Sequence, residues 1–325
     1  MMQYIIRRLL YAIPLLMAVN VLTFVLFFVV NSPDDMARMQ LGQKRVTEQA
    51  IANWKHQHGY DLPLLINSQQ DGFSQISETI FYQKSVNLFW FDFGISDSGR
   101  NIAADIQQRM WPSLALALPS LVVGLLVNIT LALLIVLFRN TRLELMANVG
   151  LVMLMSVSSL FYIIAGQFLI ARLMRWVPIS GYDSGWAAIK FLILPVMISV
   201  LAGIGSGVRW YRSLFLEEVE KDYVRTARAK GLNESQVMFR HVLRNAMIPI
   251  LTGVVVVLPL LFMGSLIMES FFSIPGLGSY TIDAINRQDF AIVRSMVFLG
   301  SVLYIVGLLL TDISYTLVDP RVRLS

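Results

Sequence analysis

Six long apolar runs, distributed from one end of the chain to the other, constrain its fold more than any other feature. The first, Leu9 to Val30, has about 22 residues; as an α-helix it is roughly 33 Å long, enough to cross a hydrocarbon core of about 30 Å. With 56% hydrophobic and 14% charged residues among 325, the chain is too apolar for a soluble protein. The other runs cover residues 114–138, about 147–170, 191–208, about 248–269 and 292 to about 310. They predict an all-α polytopic membrane protein with six transmembrane helices, organised as a single membrane domain over residues 1–325.

The start of the chain and its basic residues predict the topology. Arg7 and Arg8 precede the first run as they would in a signal peptide, but the apolar region of a signal is shorter and residues 31–35 offer no small-residue cleavage site. We therefore expect an uncleaved first span. With both termini in the cytoplasm, 14 of the 26 Lys and Arg residues fall on cytoplasmic pieces, which have about half the length of the outer pieces. This density favours that orientation, because positive residues stay inside.

A long polar segment, residues 31–110, follows the first run. Since a connection of this length without structure is unusual, we expect a folded extracytoplasmic insertion. Its pair His56 and His58 is predicted to be a surface feature and no metal site, because positions i and i+2 do not share a helix face and no third strong ligand is adjacent.

The one sizeable basic, polar stretch between spans, residues 217–249, predicts two short helices joined at Gly231. Acidic residues open the first helix and basic residues close it, an order that complements the helix dipole. Asn233 with Gln236 predicts the N-terminus of the second helix. Its apolar stripe at four-residue spacing consists of Met238, Val242 and Ala246 beside Phe239, Leu243 and Met247. A merely basic cytoplasmic loop is the alternative, and it does not explain the glycine together with the acid-to-base order.

The sequence of residues 223–232, Tyr-Val-Arg-Thr-Ala-Arg-Ala-Lys-Gly-Leu, with Leu243 twelve residues after the glycine, resembles the cytoplasmic EAA loop of permeases in ATP-binding-cassette (ABC) importers. The dipeptide and oligopeptide subclass is the most similar. Two positions depart from the general pattern, which has a proline at Arg244 and an acid at Arg225. In that family the loop forms a coupling helix that fits a groove on the ATPase subunit. The resemblance implies a coupling loop over residues 209–247, with Ala227 allowing close approach of the partner and Gly231 setting the turn. The implied ATPase-coupling residues are Tyr223, Arg225, Thr226, Ala227, Arg228, Lys230, Gly231 and Leu243.

Further stretches carry the same resemblance at the outer face and at the C-terminus. An acid, a Phe-Ser-Ile-Pro-Gly-Leu-Gly turn at 272–278 and an acid–aromatic pair resemble the outer-face motif of peptide-type permeases. The residues of this motif are Glu269, Pro275, Gly276, Gly278 and Asp289. Asp319-Pro320-Arg321 resembles the family's terminal motif. The resemblance covers nearly the whole chain and is weakest over residues 33–87.

The energy source for transport is predicted to lie outside this chain. No ionisable residue falls in the middle of an apolar run, whereas ion-coupled carriers need such groups at membrane depth. Phosphate-binding-loop and hydrolase motifs are absent from the sequence, so we expect no catalytic residue and no cofactor, with ATP and Mg bound by partner subunits. Gly203, Gly205 and Gly207 are predicted to permit close helix packing or local bending rather than dinucleotide binding. We expect the neutral polar residues of the third run to serve helix packing rather than to line the solute path. These residues are Ser156, Ser158, Ser159 and Gln167.

The resemblance implies a permease subunit that forms half of the translocation path for di- or oligopeptides in the bacterial inner membrane. Its implied partners are a second permease subunit, two ABC ATPase subunits and an extracytoplasmic solute-binding protein, with no nucleic acid. The same architecture moving nickel, antimicrobial peptides or another peptide-like solute is the alternative. An intramembrane enzyme or a structural membrane protein fits less well. Whether the two permeases are identical stays open, and no path residue follows from the sequence.

Overall fold

The computed structural model of the protein describes residues 2–42 and 46–318. Within this part of the chain the structure is helical, and its one β-type pairing is an isolated bridge between Ile95 and Asn101. The described chain divides into two compact units, one of residues 2–42, 46–109 and 280–309 and the other of residues 110–279 and 310–318. A single domain over 1–325 stays a prediction. The predicted Asp319-Pro320-Arg321 motif lies outside the described residues.

The membrane-spanning helices agree with the apolar runs. Five helical stretches of the described chain are long and apolar enough to cross a membrane, and a bent helix pair makes six when it is counted as one span. This confirms an all-α polytopic membrane protein. The five stretches are Ile6–Val30, Ile102–Leu137, Gly185–Val219, Glu234–Phe271 and Phe290–Ser314, and the pair is Arg142–Ser156 with Ser159–Leu173.

The third run differs from its prediction, because it is two helices that meet at 87°. Helix α7 ends at Ser156, and Val157 then adopts an extended backbone with φ −91° and ψ 129°. The Ser158 hydroxyl accepts a hydrogen bond from the Leu160 amide at 3.3 Å and so caps the next helix. A serine at the N-cap accepts a hydrogen bond from a backbone amide that has no partner within the helix. It therefore stabilises the start of α8 (Ser159–Gly166) after a break that contains no proline.

The first unit consists of the first span, the segment that follows it and residues 280–309, which include most of the last span. Its helices are α1 (Met2–Phe24, continued by a π turn Val25–Val30), α2 (Pro33–Leu41), α3 (Glu48–His58), α4 (Ser74–Ser77) and α5 (Ile80–Lys84). Apolar residues from α1 and from the segment form one core, which includes Phe28, Met36, Trp54 and Ile80. The Asn20 amide donates to the Ser85 carbonyl at 2.8 Å. The described part of segment 31–110 is therefore folded as predicted; its outer location stays a prediction.

His56 and His58 occupy different environments in this unit. His58 stacks on Trp54, and its two ring nitrogens lie 2.8 Å from the Trp54 carbonyl oxygen and 3.2 Å from the Asp97 carbonyl oxygen. The His56 side chain is 83% exposed. His56 is thus a surface residue as predicted, whereas His58 is half-buried and packed in place.

The second unit contains most of the spanning helices and the polar stretch. Its helices are α6 (Ile102–Leu137), α7 (Arg142–Ser156), α8 (Ser159–Gly166, continued by a π turn Gln167–Leu173), α9 (Ile189–Val219), α10 (Asp222–Ala229), α11 (Glu234–Gln236, continued by a π turn Val237–Val242), α12 (Leu243–Val257) and α13 (Leu266–Phe271). A 3₁₀ turn, Pro259–Met263, connects α12 to α13. Two further helices, α14 (Leu277–Asn286) and α15 (Phe290–Val318), contribute residues to both units, as α6 does through its residues 102–109.

The glycines of α9 have different roles. A Cβ on Gly205 would lie 2.4 Å from Met155 Cγ, and one on Gly207 would lie 2.6 Å from Asn128 Nδ2. The prediction of close helix packing is therefore confirmed at these two positions. At Gly203 a Cβ would meet nothing within 4 Å, so close packing does not explain that glycine, and local bending there stays a prediction.

Candidate functional site

The polar stretch contains helix α10, and the preceding helix extends farther than predicted. Helix α9 continues through Arg209 to Val219, so Glu217 and Glu218 end the spanning helix and do not begin the short one. Lys221 then adopts an extended backbone with φ −74° and ψ 151°, and α10 begins at Asp222. The predicted loop 209–247 is therefore almost entirely helical, with turns only at 220–221 and 230–233.

One face of α10 is buried in its own chain. Val224 and Ala227, three residues apart, are 0% and 4% exposed. They belong to an apolar cluster with Phe215 and Val219 of α9 and Val242 of the following π turn. Ala227 was predicted to allow close approach of the partner; its methyl group lies within this cluster, and its part in ATPase coupling stays a prediction. Its small size instead allows α10 to pack closely against the spanning helices.

A hydrogen-bonded group fixes α10 to the end of α9. The carboxylate of Glu218, 9% exposed, accepts from the Lys221 ammonium at 2.5 Å and from the Tyr223 hydroxyl at 2.5 Å. Burial and the hydrogen bond to Glu218 raise the pKa of Tyr223 to about 12. The hydroxyl therefore stays protonated and donates to the carboxylate at neutral pH.

The opposite face of α10 is exposed and basic. Arg225, Thr226, Arg228 and Lys230 all lie on the surface. The Arg225 guanidinium is 74% exposed and lies 3.4 Å from the Asp222 carboxylate, which is 94% exposed. Such an exposed pair contributes little to stability. Arg228 makes a two-pronged pair with Glu234, with distances of 2.8 Å from Nε and 3.1 Å from Nη2. The helix thus combines a fixed inner face with donors available to a second protein.

The turn after α10 needs glycine as predicted. Gly231 has φ +81°, a left-handed conformation that costs other residues free energy, and its amide donates to the Arg228 carbonyl at 2.9 Å. Asn233 and Gln236 form the predicted capping box. The second helix, however, is no separate element, because it runs on through Leu243 into the fifth span.

The predicted stripe of this second helix is confirmed in part. Met238, Val242 and Ala246 are buried in the apolar cluster with Val224 and Ala227, and Leu243 packs against it. Phe239 is 52% exposed and does not belong to it. Its position within the π turn Val237–Val242 shifts it away from the packed face, since such turns change the helical period.

The second cluster of predicted residues lies around the Glu269 carboxylate, which is 0% exposed. One oxygen accepts from the Ser265 amide at 3.2 Å and the other from the Ser279 amide at 3.0 Å. The Gly278 amide and the Ser113 hydroxyl also donate to it. Ser113 in turn accepts from the Leu277 amide at 2.8 Å. The buried charge is therefore surrounded by donors, which offset much of its desolvation.

The glycines of the turn at 272–278 make room for this carboxylate. A Cβ on Gly276 would lie 2.3 Å from Glu269 Oε2, and one on Gly278 would lie 2.6 Å from the Ser265 carbonyl carbon. A third glycine, Gly264, has φ +70° and is equally close to the Glu269 carboxylate. Pro275 is exposed at the tip. Glu269, Gly276 and Gly278 thus form one structure, a carboxylate enclosed by a tight turn.

Asp289 belongs to the first unit and has a different role. Its carboxylate accepts from the Ile292 amide at 3.2 Å, which caps α15, and from the Asp97 amide at 3.1 Å. Burial, followed by the charge of Asp289, raises the pKa of Asp97 to about 6. Asp289 therefore anchors segment 31–110 to the start of the last span.

Two residues of these sites were missed by sequence reasoning. Glu218 falls among the acidic residues that were expected to open the first short helix, and Ser113 directly precedes the second apolar run. A signal existed for the inner face of α10, since Val224 and Ala227 have helical spacing. None existed for Ser113, which is 156 residues distant from Glu269 in the chain.

Comparisons with known proteins agree with this architecture. Residues 113–324 match the family described as binding-protein-dependent transport system inner membrane component, and residues 1–109 match the N-terminal model of the same transport systems. The chain is 32% identical over 329 residues to the glutathione transport system permease protein GsiC of Shigella flexneri serotype 5b, with 99% of each chain covered. It is 31% identical over 327 residues to the same-named protein of Salmonella typhi, again with 99% of each covered.

A third relative is a putative peptide transport system permease protein of Brucella abortus (strain 2308), 32% identical over 325 residues with 98% of each chain covered. The two family models together span nearly the full length, and the relatives are matched from end to end. The protein is therefore a multi-pass transport permease and belongs to the family of binding-protein-dependent transport system inner membrane components.

Proposed function

We propose that this chain forms half of the translocation path of an ABC importer for di- or oligopeptides, and that α10 is the helix through which partner ATPases drive it. Membership of the binding-protein-dependent family supports an importer. The printed names of its relatives, which specify glutathione and peptide transport, support the substrate class. The alternative cargo is nickel, an antimicrobial peptide or another peptide-like solute.

The observation that carries the proposal is the two-faced packing of α10. Its inner face, Val224 and Ala227, is fixed in a cluster with the spanning helices, and Tyr223 ties it to the end of α9 through Glu218. Its outer face presents Arg225 and Arg228 to solvent. A protein that pushes on this face moves the cluster, and with it α9 and α12, because tightly packed interiors transmit displacement.

The partners follow from the same argument. A permease is no enzyme, so ATP and Mg are bound and ATP is hydrolysed by two ABC ATPase subunits, one of which contacts Arg225, Thr226, Arg228 and Lys230. A second permease subunit completes the path, and an extracytoplasmic solute-binding protein delivers the cargo. Both termini and α10 then lie in the cytoplasm, whereas segment 31–110 and the turn around Glu269 lie outside.

The test is uptake by a strain from which the chain has been deleted and to which wild-type or variant chain is returned. We expect ATP-dependent uptake of labelled di- and tripeptides by the wild type. The double variant Arg225→Glu, Arg228→Glu should lose at least 90% of it, because two exposed donors become acceptors. Its control, Arg142→Glu, changes a basic residue on another helix and should retain uptake.

Competition identifies the cargo class in the same strain. Excess unlabelled peptide should abolish uptake of the labelled peptide, and nickel should not. Nickel uptake that peptides leave unchanged would replace the peptide assignment with the alternative. Full peptide uptake by the double variant would contradict the coupling role of α10.

A further inference from the structure

A groove of about 400 Å³ lies in the second unit, between α6, α9 and the junction of α12 with α13. It extends along α6 from Leu116 to Asn128, twelve residues or about 18 Å of helix. Its lining has no charged residue. Small and neutral polar residues are frequent in it: Ala117, Ser120, Gly124, Asn128, Ser199, Gly203, Gly264 and Ser265.

The lining residues repeat at four-residue spacing on both long helices. On α6 they are Leu116, Ser120, Gly124 and Asn128; on α9 they are Ser199 and Gly203. Four-residue spacing places side chains on one helix face. Gly203 differs from its neighbours Gly205 and Gly207, because a Cβ there would meet nothing within 4 Å. It leaves open space, whereas the other two glycines bring helices into contact.

The groove also contains a buried acceptor. Asn128 Oδ1 has no hydrogen-bond partner within the described residues, and a buried acceptor without a partner costs about 1–3 kcal/mol. Lipid tails offer no donor, so a polar side chain at membrane depth faces a protein neighbour or a water-filled cavity. The oxygen is enclosed beside Gly207 of α9, so the neutral polar lining, and not this atom, indicates water in the groove.

A second cavity of the same unit serves as a contrast. It has about 840 Å³ and lies at the bend between α7 and α8, lined almost wholly by large apolar side chains such as Leu134, Phe138 and Phe161. Such a lining suits lipid tails. The smaller groove is the one whose walls suit a hydrated solute.

The two ends of the groove lie at the two sites described above. Tyr211 lines one end and belongs to the apolar cluster that holds Val224 and Ala227 of α10. Gly264 and Ser265 line the other end, and the Ser265 amide donates to the enclosed Glu269 carboxylate. A movement of α10 would therefore reach the groove through Tyr211, whereas its other end is fixed.

We propose that this groove is the wall of the solute path contributed by this chain, and that its occupant is the hydrated, transported solute. The inference rests on the proposed function. Ser120, Ser199 and Gly203 face the solute, and neutral hydroxyls with no fixed charge let a peptide pass without retaining it. This assigns path residues that apolar patterning alone does not distinguish.

The chain has no cysteine, so single cysteines can be introduced without background. Ser120→Cys, Ser199→Cys and Gly203→Cys are made in the full transporter and labelled in native membranes with a charged, membrane-impermeant maleimide. Leu126→Cys on α6 and Met197→Cys on α9 are the controls, since these side chains are 64% and 54% exposed on the same helices and do not line the groove. ATP-dependent uptake is measured in the same membranes.

We expect the three groove positions to react at least tenfold faster than the two controls, because maleimide needs a thiolate in water, and saturating transported peptide should slow them. Equal, slow labelling at all five positions in membranes that still take up peptide would overturn the proposal, and would indicate that a lipid tail or a helix of the second permease fills the groove. Fast, groove-specific labelling without ATP-dependent uptake would instead contradict the proposed function and retain the water-filled groove.

A matched pair of glycine variants gives a second test. Gly203→Leu fills open space, so it should assemble in wild-type yield and lose at least 90% of uptake. Gly205→Leu, whose Cβ alone would lie 2.4 Å from Met155 Cγ, should lower the yield of folded chain. Normal uptake by Gly203→Leu would contradict the groove assignment.

Discussion

Substitution of Ala227 and of Ala229 by glutamate separates the two faces of α10. Both positions are alanine on the same helix, but Ala227 is 4% exposed and belongs to the apolar cluster, whereas Ala229 lies on the surface. The same chemical change is thus made two residues apart in opposite environments. We therefore expect opposite effects of the two substitutions on stability and on ATPase binding.

The cost at Ala227 can be estimated from its burial. Among apolar side chains the new carboxyl group takes up a proton, and protonating a group with pKa of about 4.3 at pH 7 costs about 3.7 kcal/mol at 1.36 kcal/mol per pKa unit. Overpacking by the longer side chain adds about 1–3 kcal/mol. A total of about 5 kcal/mol is a large part of a typical folding free energy of about 5–15 kcal/mol. At the surface position Ala229, the change in stability should stay within about 0.5 kcal/mol.

The assay combines thermal stability with ATPase binding. Ala227→Glu should show a low yield of monodisperse chain in detergent and a lower melting temperature. Ala229→Glu should melt as the wild type does but bind its ATPase subunits at least tenfold more weakly, because it adds negative charge beside Arg225 and Arg228. Stable, uncoupled Ala227→Glu together with unaffected Ala229→Glu would refute the assignment of the two faces.

Three further predictions follow from single contacts. Gly231→Pro should abolish uptake, since proline fixes φ near −65° and removes the amide that donates to the Arg228 carbonyl. Gly231→Ala should lower the free energy of unfolding by only about 1–2 kcal/mol, because alanine must adopt the left-handed backbone. Uptake assays with thermal melts distinguish the two variants. Glu269→Gln should lower the free energy of unfolding by about 2–4 kcal/mol, because it removes charge-assisted hydrogen bonds and places an amide donor next to backbone donors. An unchanged melting temperature would contradict the assignment of Glu269 as an enclosed, hydrogen-bonded carboxylate. Asp97→Asn should stabilise the chain more at pH 7 than at pH 4.5. In the folded state the Asp97 carboxyl stays protonated up to about pH 6, whereas its ordinary pKa, which applies to the unfolded chain, is 3.8. The stability of the wild type therefore falls as the pH rises between those two values. A difference in melting temperature between variant and wild type that stays constant with pH would contradict it.

The spans and the outline of the coupling loop could be predicted because their signals are local. Apolar length defines a membrane helix, and the capping box of Asn233 with Gln236 and the left-handed Gly231 are properties of a few adjacent residues. Helix ends could not be predicted as well. Polar residues such as Arg209 and Glu217 lie beyond the apolar run but are still helical, so the apolar run ends before α9 does.

The tertiary features were beyond local patterns. The extended backbone at Val157 that bends the third span has no proline or glycine to signal it. The enclosure of Glu269 depends on Ser113, which is distant in sequence, and on glycines whose missing Cβ atoms matter only once the turn is folded. Ala227 was assigned to a partner because small residues permit close approach, and its neighbour proved to be its own chain.

The central claim is that the exposed face of α10 holds the ATPase. The direct measurement is co-purification, in mild detergent with mass spectrometry, of subunits bound to tagged wild-type chain, to the double variant Arg225→Glu, Arg228→Glu and to the control Arg142→Glu. We expect all three chains to retain a second permease. Only the double variant should lose the ATPase subunits, and its melting temperature should be unchanged. Equal recovery of ATPase subunits with all three chains would contradict the claim.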